Sequence, residues 1–208
     1  LVADMIEVAG ADRYMTFDLH AGQIQGFFSI PGDVLSGFFL LKEYLKQIKS
    51  QMKDPVVVTA DLGFAKKARN YAEVLDTPMA FIEKRRIAND AKAKALTLIG
   101  DVTNRDVVIV DDEVDTGGSI VQAVNLVKEM GAGNVYVTFV HPVFSANCAD
   151  RLAELPVKEF ITTNTIPIPQ EKKDKLQGRL RILSIAPLLG EVIQRANEGR
   201  SVGELFNE

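Results

Sequence analysis

The chain has 208 residues, 47% of them hydrophobic and 25% charged, with a formal net charge of −4. That is a globular composition, with apolar mass for one good core and part of another, and the charge gives no sign of a nucleic-acid surface. The single cysteine, Cys148, excludes an internal disulfide framework and fits a reducing cytoplasm; no window reads as a membrane helix, signal peptide, repeat or low-complexity linker.

Residues 1–9, LVADMIEVA, have helical spacing and stop at Gly10. The chain opens inside this helix at Leu1 rather than at a Met, as a piece of a longer protein would. Residues 13–19 predict a strand ending in Asp18-Leu19-His20. Two residues apart on a strand, Asp18 and His20 would share one face, the spacing of a metal-binding pair. Residues 21–28, AGQIQGFF, read as an apolar loop, either a subunit contact or core packing. Pro31-Gly32-Asp33 is a turn signal and a candidate domain boundary, with Asp33 placed to cap a helix over 34–48.

A short buried strand is expected over 56–60 and a helix over 64–75, separated by Asp61-Leu62-Gly63. Asp61 is either a helix cap or a ligand-site carboxylate. Another strand, 79–82, leads into Glu83-Lys84-Arg85-Arg86 and a polar stretch over 87–94 with weak helical spacing. A basic cluster is commonly a solvated surface, but one beside a loop can also close over phosphates. A strand over 96–99 then turns through Gly100-Asp101 into VVIVDDEVDTGGS, residues 107–119.

That segment is the centre of the chain. Four apolar β-prone residues read as a buried parallel strand. Asp111 and Asp112 follow it, then Asp115, Thr116, Gly117, Gly118 and Ser119, and a helix over 120–130. Glycines let backbone close on a phosphate, and a helix N-terminus supplies unpaired N–H groups and the positive end of a dipole. The carboxylates suit a ligand that also carries sugar hydroxyls. Strands over 135–140, 157–162 and 180–185 follow, with helices from Ser145 to about 154 and over 187–196, and a polar loop over 164–178. His141 and Cys148 read as structural. The alternation of strands and helices implies an α/β fold, a mostly parallel sheet with helices on both faces.

The central segment resembles the phosphoribosyl-pyrophosphate (PRPP) motif of type I phosphoribosyltransferases and ribose-phosphate pyrophosphokinases. Taken with DLHAGQIQGFFSIPGD, TADLGFAKKA, IEKRR and the late TTNTIP, the whole chain is similar to ribose-phosphate pyrophosphokinase, or PRPP synthetase. The resemblance implies a type I phosphoribosyltransferase-like fold. It implies that residues 1–33 are the trailing edge of an N-terminal domain, and that 34–208 form the C-terminal domain with the ribose-5-phosphate loop. It further implies that His20 and Asp61, with Asp18 close by, hold the Mg²⁺ of Mg-ATP, and that Lys84 and Arg86 are the catalytic pair on a flexible loop. Arg86, Asp111, Asp115, Thr116, Gly117, Gly118 and Ser119 would hold ribose 5-phosphate. Three positions depart from the family pattern: Ser29 where many members have an acid, Ser119 for the usual threonine, and Phe64 for a common glycine.

The activity so implied is transfer of the β,γ-diphosphoryl group of ATP to ribose 5-phosphate, giving PRPP and AMP. The partners would be ATP, ribose 5-phosphate and further copies of the chain, a hexamer by resemblance, with neither nucleic acid nor membrane, in the cytoplasm. The rivals are a phosphoribosyltransferase that uses PRPP and a non-catalytic, synthetase-associated regulatory subunit. Since the family's N-terminal domain supplies much of the ATP contact, these 208 residues alone are expected to bind ribose 5-phosphate but to make no PRPP.

Overall fold

The computed structural model describes residues 1–86 and 94–206. By contact the chain forms two compact units, Leu1–Phe39 with Ser184–Glu208, and Leu40–Leu183. Among the described residues no helix is long and apolar enough to cross a membrane.

In the smaller unit, helix α1 (Val2–Val8) is followed by strands β1 (Tyr14–Phe17) and β2 (Gly32–Leu35). The two strands pair in parallel, with Tyr14 opposite Gly32 and Phe17 opposite Leu35. Tyr14 stacks on Phe28 with ring centroids 4.1 Å apart. Its ring also lies over Gly32, where a Cβ would fall 2.0 Å from Tyr14 Cζ, so a larger residue there would displace the ring. The expected helix over 34–48 is therefore corrected at its start. Pairing with β1 claims residues 32–35, and the helix begins at Phe38. Asp33 caps nothing; it accepts from Arg13 Nε at 2.8 Å. The expected strand over 13–19 is shorter, because Asp18 leaves extended backbone with φ +34°. Leu35, Val192 and Val202 form the centre of this unit's core, with Phe17, Leu189 of the C-terminal helix Ala186–Asn197 and Phe206 packed around them.

The larger unit carries most of α2 (Phe38–Lys49), then β3 (Val56–Thr59), α3 (Ala65–Leu75), β4 (Met79–Arg86), β5 (Lys94–Ile99) and β6 (Val107–Val114). It continues with α4 (Gly118–Glu129), β7 (Val135–Pro142), α5 (Cys148–Ala153), β8 (Glu159–Thr163), α6 (Gln170–Lys175) and β9 (Leu180–Leu183). The sheet order is β5-β4-β3-β6-β7-β8-β9. Every neighbour is parallel except β4 and β5. Val56 to Val58 and Val107 to Val110 are buried, as strands covered on both faces require. Val58, Ile109 and Val137 pack against Ile120 and Val124 of α4 and Leu152 of α5. The β3–α3–β4 and β6–α4–β7 crossovers run in opposite directions along the sheet, and right-handed connections then place α3 and α4 on opposite faces.

Several elements outrun their apolar signal. β6 keeps its ladder to β7 through Asp111–Phe139 and Val114–Pro142, so Asp111 and Asp112 lie within the strand rather than after it. β4 runs on through Arg86 because β5 pairs with it antiparallel, Lys84 opposite Leu96 and Arg86 opposite Lys94. Lys84 and Arg86 therefore stand on strand backbone, not on a loop. The expected polar stretch that follows them lies, over 87–93, outside the described residues. The expected loop over 164–178 contains α6.

The amino-terminal edge of the sheet is closed by Asp106, which is 2% exposed. Its carboxylate accepts the Lys53 N–H at 3.0 Å and the Asn134 N–H at 2.8 Å, and Asn134 Nδ2 at 3.1 and 3.2 Å. Burial pushes the Asp106 carboxyl up, but the Lys53 and Asn134 donors outweigh it and hold it below its usual 3.8. Its stabilisation is therefore present above pH 3.8 and lost as pH falls through the depressed value. Asp106→Ala leaves these donors unpaired and should cost on the order of 3 kcal/mol at pH 7. Urea unfolding of the variant and the parent should give that difference at pH 7, and a narrowing one below pH 3.8.

Candidate active site

In an open α/β sheet, ligands bind beyond the carboxyl ends of strands where the chain order reverses. Here that point lies between β3 and β6: β3 leads outward to β4, and β6 leads the other way to β7. The register pairs Thr59 with Val110, which sets Asp61 beside the acidic end of β6. The Asp61 charge reaches Asp111 and disfavours its ionised form. Asp61 Oδ1 accepts the Gly63 N–H at 2.8 Å, holding the turn that opens α3. Asp61 thus braces the turn before α3, whose own N-cap, Phe64, has no side-chain cap, and its charge reaches the acidic end of β6. The part of β4 beyond Phe81, carrying Lys84 and Arg86, projects past the same edge of β3.

Residues 115–117 form the turn from β6 into α4. Gly117 is the N-cap with φ +78°, and no side-chain hydrogen bond caps the helix. A Cβ at Gly117 would sit 3.0 Å from Cys148 Sγ, so the backbone conformation and the packing both call for glycine. Behind the turn, Asp115 O accepts the Ser145 N–H at 3.1 Å, Gly117 O accepts the Val121 N–H at 2.9 Å, and Thr116 O accepts Arg151 Nη1 at 3.3 Å. Asp115, Thr116 and Ser119 are exposed.

The acidic pair beside this turn is mostly withdrawn from water. Asp112 is 8% exposed. Asp111 Oδ1 accepts the Asp112 N–H at 3.0 Å, and Asp112 Oδ1 accepts the Glu113 N–H at 2.9 Å. Burial first, and then the Asp112 charge, raise the Asp111 carboxyl from 3.8 to about 7. At neutral pH it can therefore both donate to and accept from a hydroxyl. Cys148 is fully buried, and its thiol is pushed up to about 11 by burial and by Asp115. It is a packing residue, not a nucleophile.

His141 Nδ1 lies 2.9 Å from Thr165 Oγ1, and Thr163 Oγ1 donates to Val140 O at 2.8 Å. This cluster at the ends of β7 and β8 holds the TTNTIP segment. Sequence reading gave Thr163 and Thr165 no role; the β-branched polar pair after a strand was the available signal. Arg151 was also passed over, since nothing local connects it to residue 116.

In the smaller unit, Asp18 is buried, and both its oxygens are engaged: Ser36 Oγ lies 3.1 and 3.2 Å from them, and the Gly37 N–H donates at 2.6 Å. With φ +34°, Asp18 does not share a strand face with His20, which is exposed beyond the end of β1. Among the described residues no group of three or more His, Cys, Asp or Glu is arranged to hold a metal ion by itself. Asp61 offers an oxygen donor of the kind Mg²⁺ takes, and Mg²⁺ commonly relies on one or two carboxylates with water and substrate phosphates completing its shell. The chemistry present fits a cation shared with a phosphate ligand.

Residues 85–207 match the family model described as a phosphoribosyl synthetase-associated domain. The chain is 45% identical over 99% of its length to the ribose-phosphate pyrophosphokinase of Caldanaerobacter subterraneus subsp. tengcongensis, and spans 64% of that protein. It is 42% identical to the enzyme of the same name from Haemophilus influenzae, spanning 65% of it. The phosphoribosylpyrophosphate synthetase of Mycobacterium smegmatis superimposes with a TM-score of 0.85 at 41% identity, over 95% of this chain and 63% of that one.

The raised Asp111 carboxyl has a consequence for stability. A carboxyl whose folded value lies above its unfolded one favours folding at low pH and loses that advantage as pH rises through about 7. Asp111→Asn should therefore be more stable than the parent at pH 8, with the gain disappearing below pH 4. Chemical unfolding midpoints at the two pH values check this.

Proposed function

The chain belongs to the phosphoribosyl synthetase-associated domain family, and from that premise we propose that it is the ribose-5-phosphate-binding part of a ribose-phosphate diphosphokinase. The observation that carries the reading is the β6–α4 turn. At one switch point it joins an uncapped helix N-terminus, suited to a phosphate, with an acidic pair, Asp112 buried and Asp111 partly so, suited to sugar hydroxyls.

In this reading the backbone N–H groups of residues 116–118 and the Ser119 hydroxyl bind the 5-phosphate, while Asp111 and Asp115 accept the ribose hydroxyls. The anomeric oxygen attacks the β-phosphorus of ATP. The bond from that phosphorus to the α,β-bridging oxygen breaks, AMP leaves with the oxygen, and the hydroxyl proton is released. Lys84, a compact charge, and Arg86, a bidentate fork, meet the charge that builds on the transferring group. Asp61 and His20 would hold Mg²⁺, which when bound neutralises phosphate charge. Asp18, whose carboxylate is engaged with Ser36 and Gly37, would serve by fixing the segment that carries His20. Projection of β4 past the edge of β3 supports the assignment of Lys84 and Arg86 to the same crevice as the turn.

The reading extends to a homo-oligomer in the cytoplasm, a hexamer by resemblance. Val8 and Phe27, 89% and 68% exposed, are apolar surface of the kind such contacts cover. The rest of the protein would complete the ATP site, since the chain spans 64% of its relative from Caldanaerobacter.

The test is AMP formation from ATP and ribose 5-phosphate by the whole protein with Mg²⁺. Activity is expected there and absent without the metal; pyrophosphate release from PRPP and a nucleobase would instead make it a phosphoribosyltransferase. Lys84→Ala and Arg86→Ala should each lower kcat on the order of a hundredfold with little change in the KM for ribose 5-phosphate. Unchanged turnover in either would return these residues to a solvated surface.

A further inference from the structure

A trans peptide is planar, and its C=O and N–H point in opposite directions. Fixing a carbonyl therefore aims the next residue's N–H. In the β6–α4 turn three successive carbonyls each accept a hydrogen bond: Asp115 O from the Ser145 N–H, Thr116 O from Arg151 Nη1 and Gly117 O from the Val121 N–H of α4. Each contact fixes one peptide plane, and with it the direction of the N–H of Thr116, Gly117 and Gly118 in turn. Two of the three anchors are backbone donors that the fold supplies whatever the sequence. The middle one is a side chain, and it acts on the peptide that enters Gly117, whose φ of +78° marks the softest point of the turn.

We propose that Arg151 is a positioning residue for phosphate recognition, locking the 116–117 peptide so that the Gly117 N–H faces the anion. This rests on the ribose-5-phosphate reading of the turn. The surroundings fit the role. Helix α5 is tied to α6 by Lys175, paired to Asp150 at 2.7 Å, and the segment before it by Lys172 Nζ, which donates to Phe144 O at 2.6 Å. Cys148 and Leu152 of the same helix pack against Gly117, so α5 holds a fixed distance from the turn while Arg151 sets its orientation. Because Asp150 is engaged with Lys175, the acid beside Arg151 on the chain has another cation to pair with.

Titration calorimetry of ribose 5-phosphate into the 208-residue chain tests this, alongside ¹H–¹⁵N spectra of the Gly117 amide. Arg151→Ala should bind about tenfold more weakly, the scale of one lost hydrogen bond to a charged group. Arg151→Lys should recover most of the affinity. Arg151 is exposed, so the thermal midpoints of both variants should match the parent. The deficit should persist from about 0.1 M to about 0.5 M salt, where a distant charge would be screened. The Gly117 amide should move in the parent on adding ligand and move less in Arg151→Ala. Equal affinity in Arg151→Ala, or a deficit that vanishes in high salt, overturns the proposal. No binding by the parent chain would instead overturn the ribose-5-phosphate reading itself.

Discussion

The parallel pairing of β3 with β6, Val56 with Val107 through Thr59 with Val110, is the constraint on which the site depends. These strands are neighbours in space, but 47 residues of chain lie between Thr59 and Val107. Their helices leave in opposite directions along the sheet, and a crevice opens where they part. Over these four residue pairs both strands are buried and almost wholly apolar, and that burial fixes their register. A slip of one residue would move Asp61 away from Asp111 and turn the acidic end of β6 to the other face. The apolar strands therefore decide where the polar groups meet, although they touch no ligand themselves.

Charge at this crevice is arranged in opposition. The uncapped start of α4 is a weakly positive end, and it lies next to a carboxyl pair of which Asp112 is buried and Asp111 partly so. Two carboxylates so close would repel each other and any phosphate that approached. Raising Asp111 to about 7 relieves part of that repulsion at neutral pH. The arrangement suits a ligand with an anion at one end and hydroxyls at the other better than a simple anion, which would gain from the turn and lose to the pair.

The legible parts of the sequence were those whose signal is local. VVVT and VVIV name their strands by unbroken β-branched runs, and DTGGS names its turn by the glycine that must take a positive φ. The shortfalls come from long-range pairing. β2 was read as the start of a helix because 34–48 carries helical spacing, yet β1 captures residues 32–35 first. β4 was cut short at residue 82 because its last four residues are charged, yet β5 supplies backbone partners that do not depend on side-chain polarity. Asp18 and His20 were taken for a strand pair; the left-handed backbone at Asp18, held by Gly37 and Ser36, breaks that geometry. Within the site, residues 111–119 stand out by their own pattern and Asp61 only through the family resemblance, whereas Ser145 and Arg151, which hold the turn, lie too far along the chain for any spacing rule.

The central claim is that the turn between β6 and α4 binds ribose 5-phosphate through its backbone. Amide chemical-shift mapping of the chain during titration with ribose 5-phosphate tests it directly. The account predicts saturable shifts that are largest at Thr116, Gly117 and Gly118, with smaller ones at Asp111 and Asp112, and none of this size with unphosphorylated ribose. Shifts that leave residues 115–119 untouched, or that centre on another part of the chain, would contradict it.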